Sequence, residues 1–447
     1  PSSAASDVYK RQILYTCCIL SFPVSAQQIP SFKANDRIVF LGNSITEGGH
    51  YHSYIWLYYM THFPNLPLRM YNGGIGGDCV SHMVYRFDSD IKIKKPTYLI
   101  CSFGMNDSGF DGYNKPGYDK YANQQVEYAH TEFEKLQRQI LADKKIKSVV
   151  LLGSPPYDEN VKLKGVEVLH GKNETIKRII EMQAEVAQKR GWGFVNFNTV
   201  MCGLNKQIQL SDSTATFCGG DRIHPDKDGH MVMAYLFLKA QGLAGQEIAS
   251  FQINATNRKA MEERNCRISH IKNENDTISF RYLSRSLPFP IDTIPRWGTK
   301  GTARDAIRQI PFMQEMNQEI MKVTDLHGIF RVTIDGIEIG CWSGDELSKG
   351  VNLAEISCTP QYQQSLSIMY LNEERCAIEK RLRQYMAMQY VFFKHRGLLF
   401  ADNKAALDAA KAERESHYLV KYLYTNYTQA MFPQIREAWQ AEIAQLI

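Results

Sequence analysis

Long apolar stretches are missing from this sequence after its first 26 residues: no later segment stays apolar for the roughly 18 residues that a membrane-spanning helix needs. Extended runs of like charge are missing too, and a net charge of +5 is spread over 447 residues. That balance disfavours a nucleic-acid-binding groove. Internal repeats and low-complexity tracts are also lacking. With 44% hydrophobic residues and a mean hydropathy of −0.34, we expect a soluble globular protein with no nucleic-acid partner.

The short apolar run near the amino terminus is typical of a secretory signal peptide. Lys10-Arg11 is followed by apolar residues over 13–22 and by Val24-Ser25-Ala26, a small-x-small cleavage pattern. Residues 1–9 lack an initiator methionine, and we expect them to be a cloning or assembly remnant. Residues 1–26 therefore predict export, to the periplasm or out of the cell, with no integral membrane segment once the signal is removed.

Metal-binding spacings are absent among the ten cysteines, since neither CxxC nor a Cys/His pattern occurs. Two cysteines lie in the signal segment. Export permits disulfides, and proximity in the sequence favours a pair between Cys202 and Cys218. The alternative is that the remaining cysteines are buried thiols that act as small hydrophobic side chains.

Apolar segments of strand length alternate with helical patterns from residue 33 to about 245. Helical spacing is clear over 126–140, over 176–186 and over 225–240. Strand-like runs lie between them, at 37–42, 68–72, 97–103, 147–153 and 193–197. This alternation predicts a five-stranded parallel sheet with helices on both faces.

The pattern changes after residue 246. Strand-like alternation at 277–282 and at 330–339, the latter around the hairpin signal Asp335-Gly336, predicts a β-rich accessory region over 246–360. Within it, an amphipathic helix is predicted near 302–323.

Residues 361–447 form a pattern of two or three helices with aromatic stripes. We expect the stripes to pack in a bundle against the catalytic domain or against a neighbouring subunit of a homo-oligomer; the alternative is a sugar-binding strip. The aromatic residues are Tyr385, Tyr390, Phe392, Phe393, Tyr418, Tyr422, Tyr424 and Tyr427.

A serine follows the first buried strand, in Arg37-Ile-Val-Phe-Leu-Gly-Asn-Ser-Ile-Thr-Glu-Gly48. The carboxyl ends of parallel strands form the crevice where open α/β sheets bind ligands, and a helix amino terminus there stabilises negative charge. Ser44 is therefore a candidate nucleophile. The alternative is that Ser44 simply caps the following helix.

Two further stretches follow the next two strands. Asn72-Gly-Gly-Ile-Gly-Gly-Asp78 is a glycine-rich turn whose backbone N–H groups can approach a ligand. A dinucleotide-binding loop would need a glycine at position 79, which is Cys79, so no nucleotide cofactor is expected. Gly104-Met-Asn-Asp107 offers the Asn106 amide as a donor; the alternative is an ordinary turn.

The fourth stretch is Asp221-Arg-Ile-His-Pro-Asp-Lys-Asp-Gly-His230. Asp221 and His224 are close enough for the carboxylate to hold the imidazole in one tautomer. A metal site is the alternative, because Asp226, Asp228 and His230 add further ligand types. Their spacing matches neither an EF-hand nor a zinc site, so no metal is expected.

Together, the four stretches resemble the four sequence blocks of the SGNH/GDSL hydrolase family, in the same order. The nucleophile block is Gly42-Asn-Ser-Ile-Thr-Glu-Gly48, the glycine block lies at 72–77, the asparagine block at 104–107 and the acid–histidine block at 221–224. The resemblance covers about residues 33–242. Asn43 departs from the aspartate that the family name implies, and the α/β-hydrolase pattern G-x-S-x-G is absent because position 46 is threonine.

This resemblance implies a flavodoxin-like three-layer α/β/α sandwich over 33–245 and a serine esterase that needs no metal or organic cofactor. Ser44 would be the nucleophile, His224 the general base and Asp221 its orienting acid. The oxyanion hole would comprise the backbone N–H groups of Ser44 and Gly74 and the side-chain amide of Asn106.

Export and a soluble composition favour a polar substrate, and we expect removal of a small acyl group, an O-acetyl group, from a carbohydrate. Tyr51, His52, Tyr54 and Trp56 could line a sugar site; the alternative is that Trp56 and Tyr59 are core residues of the first helix. A lipid acyl-esterase or lysophospholipase is the alternative of the same class. A non-catalytic glycan-binding or scaffold module is the alternative of another class.

Overall fold

The computed structural model describes residues 28–275, 277–295 and 301–446. The predicted signal peptide at 1–26 lies outside these residues. Five strands form the first sheet: β1 Arg37–Gly42, β2 Arg69–Gly74, β3 Tyr98–Phe103, β4 Ser148–Gly153 and β5 Gly193–Asn196. All neighbours pair in parallel, in the order β2-β1-β3-β4-β5. The predicted five-stranded parallel sheet is confirmed.

Helices cover both faces of this sheet, because the buried strands are apolar on both sides. On β1, Ile38 and Phe40 face one core cluster, whereas Val39 and Leu41 face the other. The helices are α1 Ser44–Gly48, α2 His50–His62, α3 Val80–Arg86, α4 Tyr118–Ala142, α5 Lys172–Arg190, α6 Phe197–Ile208 and α7 Lys227–Ala240. Helices α2 and α7 pack on the first face, and α3 and α4 on the second.

A second, β-rich region follows. Its strands are β6 Ala249–Asn254, β7 Lys259–Arg264, β8 Cys266–Glu274, β9 Thr277–Ser284, β10 Glu319–Thr324, β11 Ile329–Ile334, β12 Ile337–Ser343 and β13 Val351–Asn352. A four-stranded sheet runs in the order β13-β10-β6-β7, and β8–β9 and β11–β12 form two hairpins. The predicted turn at Asp335-Gly336 joins β11 to β12, and both residues have positive φ.

The helix predicted near 302–323 is wrong. The segment forms two short helices, α8 Ala303–Ile307 and α9 Phe312–Met316, and then strand β10. Pro311 lies between the short helices, where it lacks the N–H that a continuous helix would need. Residues of β10 alternate between buried and half-buried positions, and β10 pairs with β6 along its whole length. Strand pairing therefore outweighs the local helical pattern.

The carboxyl-terminal region is helical, as predicted, but its described residues, up to 446, form four α-helices rather than two or three. After the short helix α10 Gly344–Lys349 these are α11 Pro360–Ala387, α12 Lys404–Glu413, α13 Tyr418–Ala430 and α14 Pro433–Gln445. Most of the aromatic stripe is buried in one cluster, which agrees with bundle packing: Tyr385, Tyr390, Phe392, Phe393 and Tyr427. Tyr418 and Tyr422 are exposed.

The predicted Cys202–Cys218 disulfide is wrong, since both thiols are free. The Cys202 thiol accepts a hydrogen bond from Asn173 and donates one to Asn198, whereas the buried Cys218 accepts from Asn205. The two sulfur atoms thus have separate polar partners. In the part of the chain that the structure describes, no helix is long and apolar enough to cross a membrane.

Candidate active site

Ser44 lies at the carboxyl end of strand β1, as the first residue of α1. Asn43, not Ser44, is the helix cap, because its side-chain oxygen accepts the Ile45 N–H at 3.0 Å. The capping alternative for Ser44 is therefore wrong. As a first-turn residue, Ser44 directs its N–H away from the helix, so that this donor is free for a ligand.

Three side chains form a continuous hydrogen-bonded chain at this strand end. His224 Nε2 lies 2.8 Å from Ser44 Oγ, and His224 Nδ1 lies 2.6 Å from Asp221 Oδ2. An ionised carboxylate can only accept, so the imidazole Nδ1 carries the proton and Nε2 is left to accept from the serine hydroxyl. This tautomer can remove the hydroxyl proton during an attack by Ser44 Oγ.

Asp221 is held in place by backbone groups as well as by the imidazole. Its Oδ1 accepts the N–H groups of Ile223 and His224, each at 2.9 Å. Burial raises the pKa of Asp221, but the hydrogen bonds from His224 and the two backbone groups outweigh it and bring the pKa below its usual value. The carboxylate therefore stays ionised at neutral pH while it orients His224.

Arg222 anchors the loop that carries Asp221 and His224. The sequence did not predict this role of Arg222. Its guanidinium is buried and donates to the carbonyl groups of Asp158 at 3.0 Å and Val161 at 2.6 Å. Arg222 also has a positive φ of 71°. The tight turn directs Asp221 and His224 toward Ser44 while the intervening side chain anchors the loop to the protein interior.

The glycine turn after β2 requires a correction to the predicted donor. The Gly74 N–H donates to Asn72 Oδ1 at 2.8 Å, so it is already satisfied. The Gly76 N–H donates to the Glu47 carboxylate at 2.6 Å. Gly77 is exposed, has a φ of +80°, and its N–H donates to no group within the described ranges. Gly77, not Gly74, therefore offers the open donor of this turn.

Asn106 lies beside that turn. Its Nδ2 donates to the carbonyl of Asp78, the residue after Gly77, at 3.0 Å and has a second N–H to offer. The neighbouring Asp107 is buried and accepts the N–H groups of Val80 at 2.7 Å and Gly104 at 2.8 Å. Asp107 thus links the asparagine loop to the start of α3.

Lys172, at the first position of α5, holds the same loop and was not predicted. Its buried ammonium donates to Met105 O at 2.8 Å, Ser108 Oγ at 2.6 Å and Gly109 O at 2.5 Å. The Lys172 ammonium lies over the Phe110 ring, 3.8 Å from the ring centroid. Lys172 is distant in sequence from this loop and no local motif marks it, so the sequence offered no signal for this role.

The two histidines of the fourth stretch, His224 and His230, have different bonding partners. His224 bonds to Ser44 and Asp221, whereas His230 is buried, accepts the Tyr51 N–H at 3.2 Å and stacks on the Tyr51 ring. The two imidazoles therefore serve different neighbours. No cluster of three or more His, Cys, Asp or Glu side chains able to hold a metal occurs among the described residues.

The four side chains considered for a sugar site belong to the core. Tyr51, His52, Tyr54 and Trp56 are each no more than 3% exposed. Tyr54 donates to the Asp292 carboxylate, and the Trp56 ring lies 4.2 Å from the Arg375 guanidinium. The sugar-site interpretation of these residues is wrong, and the core interpretation is confirmed.

Comparison with known proteins identifies two matching families. Residues 40–232 match the model of the GDSL-like lipase/acylhydrolase family, and residues 366–447 match a model described as the diltiazem deacetylase C-terminal helical domain. The first match spans Ser44, Asn106, Asp221 and His224. The second corresponds to most of the carboxyl-terminal helices.

One solved structure resembles nearly the whole chain. It is described as a gut microbial diltiazem-metabolizing enzyme, is 47% identical, covers 94% of this chain and 95% of its own, and superposes with a TM-score of 0.91. An acetylxylan esterase of Geobacillus stearothermophilus is 23% identical over 228 residues, which are 47% of this chain and 95% of that protein.

Proposed function

Because the chain belongs to the GDSL-like lipase/acylhydrolase family and is a carboxylic ester hydrolase, we propose that it removes O-acetyl groups by a Ser44–His224–Asp221 triad. The observation that carries this proposal is the hydrogen-bonded chain from Ser44 Oγ through His224 to Asp221, at 2.8 Å and 2.6 Å. All three groups lie at the carboxyl edge of the parallel sheet, within reach of solvent and of a substrate.

The proposed reaction has two halves. His224 Nε2 takes the proton of Ser44 as Oγ attacks the ester carbonyl, and then gives it to the departing alcohol oxygen. Acetyl-Ser44 is formed, and water activated by His224 releases acetate and restores the serine. Asp221 accepts from Nδ1 throughout and stabilises the imidazolium.

We assign the oxyanion hole to the Ser44 N–H, the Gly77 N–H and the Asn106 side-chain amide. Two observations support this choice over Gly74: the Gly74 N–H already donates to Asn72, and Asn106 donates to the carbonyl of Asp78, the residue after Gly77. A donor that is already satisfied would have to break its own bond before it could stabilise developing charge.

For the alcohol part of the ester we propose a carbohydrate, with a diltiazem-type acetate as the second candidate. The side chains of His224 and Asp221 are 44% and 50% exposed, which suits a bulky polar alcohol at an open site. The acetylxylan esterase relative is named for a carbohydrate ester. The second candidate is favoured by the match of both regions of the chain to diltiazem-related proteins.

We further propose that the enzyme is exported. The support is the order of basic residues, apolar run and small-x-small pattern over residues 10–26. Amino-terminal sequencing of the protein secreted from its own kind of host would test this, with a mature start at Gln27 expected.

The experiment that tests the activity is acetate release by the wild type and by Ser44→Ala. The substrates are p-nitrophenyl acetate, acetylated xylo-oligosaccharides, diltiazem and a long-chain p-nitrophenyl ester. We expect Ser44-dependent turnover of acetyl esters and little turnover of the long-chain ester. A preference for the long chain would favour a lipid acyl-esterase. Equal weak rates in both proteins, with no labelling by a fluorophosphonate probe, would favour a non-catalytic module.

A further inference from the structure

Helix α11 of the carboxyl-terminal region has buried charge where an ordinary packing helix would have apolar side chains. The side chains of Arg375 and Arg383 are 3% exposed and that of Glu379 is 11% exposed. Arg375 pairs with Glu379 at 3.0 Å. Burying charged groups is costly unless they are paired and hydrogen-bonded, so their partners indicate what this face does.

Two of these residues bond to the backbone of the glycine turn's strand. β2 is the edge strand of the parallel sheet, so its outer N–H and C=O groups have no neighbouring strand. Glu379 Oε1 accepts the Asn72 N–H at 2.8 Å, and Arg383 Nε donates to the Gly74 carbonyl at 3.0 Å. Helix α11 thus takes the place of a sixth strand where the turn at 72–78 begins.

Arg383 is also connected, through Asp90 and Arg86, to the strand end that precedes Ser44. Its two terminal nitrogens each lie 2.7 Å from a carboxylate oxygen of Asp90, which is buried. Asp90 binds Arg86 at 2.6 Å, and Arg86 donates to the carbonyl groups of Gly42 at 3.1 Å and Gly73 at 2.7 Å. One buried network therefore joins α11 to the ends of both β1 and β2.

Three cationic side chains surround the Asp90 carboxylate of this network. Burial raises the pKa of Asp90, but Arg383, Lys94 and Arg86 outweigh that effect and hold the pKa well below its usual range. Lys94 lies 2.6 Å from Asp90. Loss of Arg383 would leave Asp90 with two cationic partners, so a variant at this position should still fold.

We infer that Glu379 and Arg383 are positioning residues that hold the turn at 72–78 in its oxyanion-binding geometry. The inference deepens the proposed function and depends on it for its effect on activity. A turn displaced by about 1 Å would misplace the Gly77 N–H relative to the developing charge, which can cost about 100-fold in rate. The substrate itself need not contact either residue.

The test compares matched variants of the full chain. Arg383→Met removes the Nε donor to Gly74, and Arg381→Met is the control, since Arg381 lies two residues away over the Trp439 ring, 5.6 Å from its centroid. Glu379→Leu removes the acceptor for Asn72, and Glu379→Gln keeps it. We expect Arg383→Met and Glu379→Leu to lower kcat about 10- to 100-fold with KM within about twofold, and the control and Glu379→Gln to stay close to wild type.

Two readouts separate positioning from loss of fold. Rates are expressed per serine labelled by a fluorophosphonate, so that unfolded protein does not count. Hydrogen exchange of a peptide covering 72–79 should be faster in Arg383→Met and Glu379→Leu but not in Arg381→Met. Wild-type kcat per labelled serine with unchanged exchange would overturn the inference.

The same design separates this inference from the proposed function. If the wild type and Ser44→Ala hydrolyse acetyl esters equally slowly, the proposed function fails. The exchange measurement then still decides whether Glu379 and Arg383 hold the turn. Unchanged exchange in both variants would show that they do not, whatever the activity of the wild type.

Discussion

The Asp221–His224 pair of the α/β region and helix α11 of the carboxyl-terminal region place charged side chains in opposite environments. In the α/β region, Asp221 and His224 are about half exposed and are oriented by a few short hydrogen bonds. In the carboxyl-terminal region, Glu379 and Arg383 of α11 are buried, and they bond to backbone groups behind the site. The comparison teaches that side chains that are open to the substrate need rigid support from buried side chains that the substrate never contacts.

The largest loss of activity is expected from substitutions in the exposed hydrogen-bonded chain of Ser44, His224 and Asp221. His224→Ala should lower kcat on the order of 10⁶-fold, because the serine hydroxyl loses its base. Combining it with Ser44→Ala should cost little more, since the two side chains act as a unit. Steady-state kinetics with p-nitrophenyl acetate would measure this, with His395→Ala, an exposed histidine, as control. Additive losses in the double variant would contradict a shared role.

The second-largest loss of activity is expected for a substitution of Asn106, the proposed side-chain donor of the oxyanion hole. Asn106→Ala removes one oxyanion donor and should cost about 10²- to 10³-fold in kcat, or about 2.7–4 kcal/mol of barrier. KM should change little, because the lost hydrogen bond forms fully only in the transition state. Asn114→Ala is the matched control, since Asn114 is an exposed asparagine that bonds to Glu167 and Val168. A rise in KM at unchanged kcat would instead place Asn106 in substrate binding.

Much of the fold follows from local patterns. The five strands of the parallel sheet were predicted within two residues at every boundary, because buried strands are apolar on both faces and end at turn residues. The helix predicted near 302–323 failed because the pairing of β10 with β6 joins segments about 70 residues apart, as in the register of Glu319 with Ala249. No local pattern contains such a partner.

The candidate site was predictable in part, for the same reason. Ser44 and Asn106 follow β1 and β3 directly, so their approach follows from their position at strand ends. Asp221 and His224 lie in the loop between α6 and α7, and only their place in the fourth sequence block of the family connected them with Ser44. The choice of Gly74 could not be checked in sequence, because the bond from its N–H to Asn72 depends on the path of the turn. Arg222, Lys172, Glu379 and Arg383 act through backbone contacts that no motif records.

Substitution of Lys172 is expected to have a smaller effect, on the pH dependence of the free energy of unfolding. Burial lowers its pKa to about 7, from an ordinary value of 10.5. Between these values the unfolded chain binds more protons than the native protein, so this group makes the free energy of unfolding rise with pH, by at most about 1.4 kcal/mol per pH unit. The contribution is complete above the unfolded pKa and is lost as pH falls through the native pKa.

Urea unfolding between pH 7 and pH 9 would measure this slope. Lys172→Met should lose the contribution, so the variant's free energy of unfolding should rise less with pH than that of the wild type. Lys177→Met is a suitable control, because Lys177 lies on the same helix and its side chain is 49% exposed. Equal slopes in the wild type and Lys172→Met would contradict a lowered native pKa.

Lys172→Met should also lose activity, roughly tenfold, because Lys172 holds the loop that carries Asn106.

The smallest effect is expected in the β11–β12 hairpin, which belongs to the β-rich region between the two regions compared above. Ile329 is 81% exposed on β11, whereas the next residue, Phe330, packs against the core of the β-rich region. Ile329→Thr keeps a β-branched side chain and should change the free energy of unfolding by no more than about 0.5 kcal/mol. Both kcat and KM for acetylated xylo-oligosaccharides should match the wild type, because the support of the site comes from α11. A higher KM for the oligosaccharides, with p-nitrophenyl acetate unaffected, would show instead that the hairpin contacts large substrates and would extend the comparison to a third region.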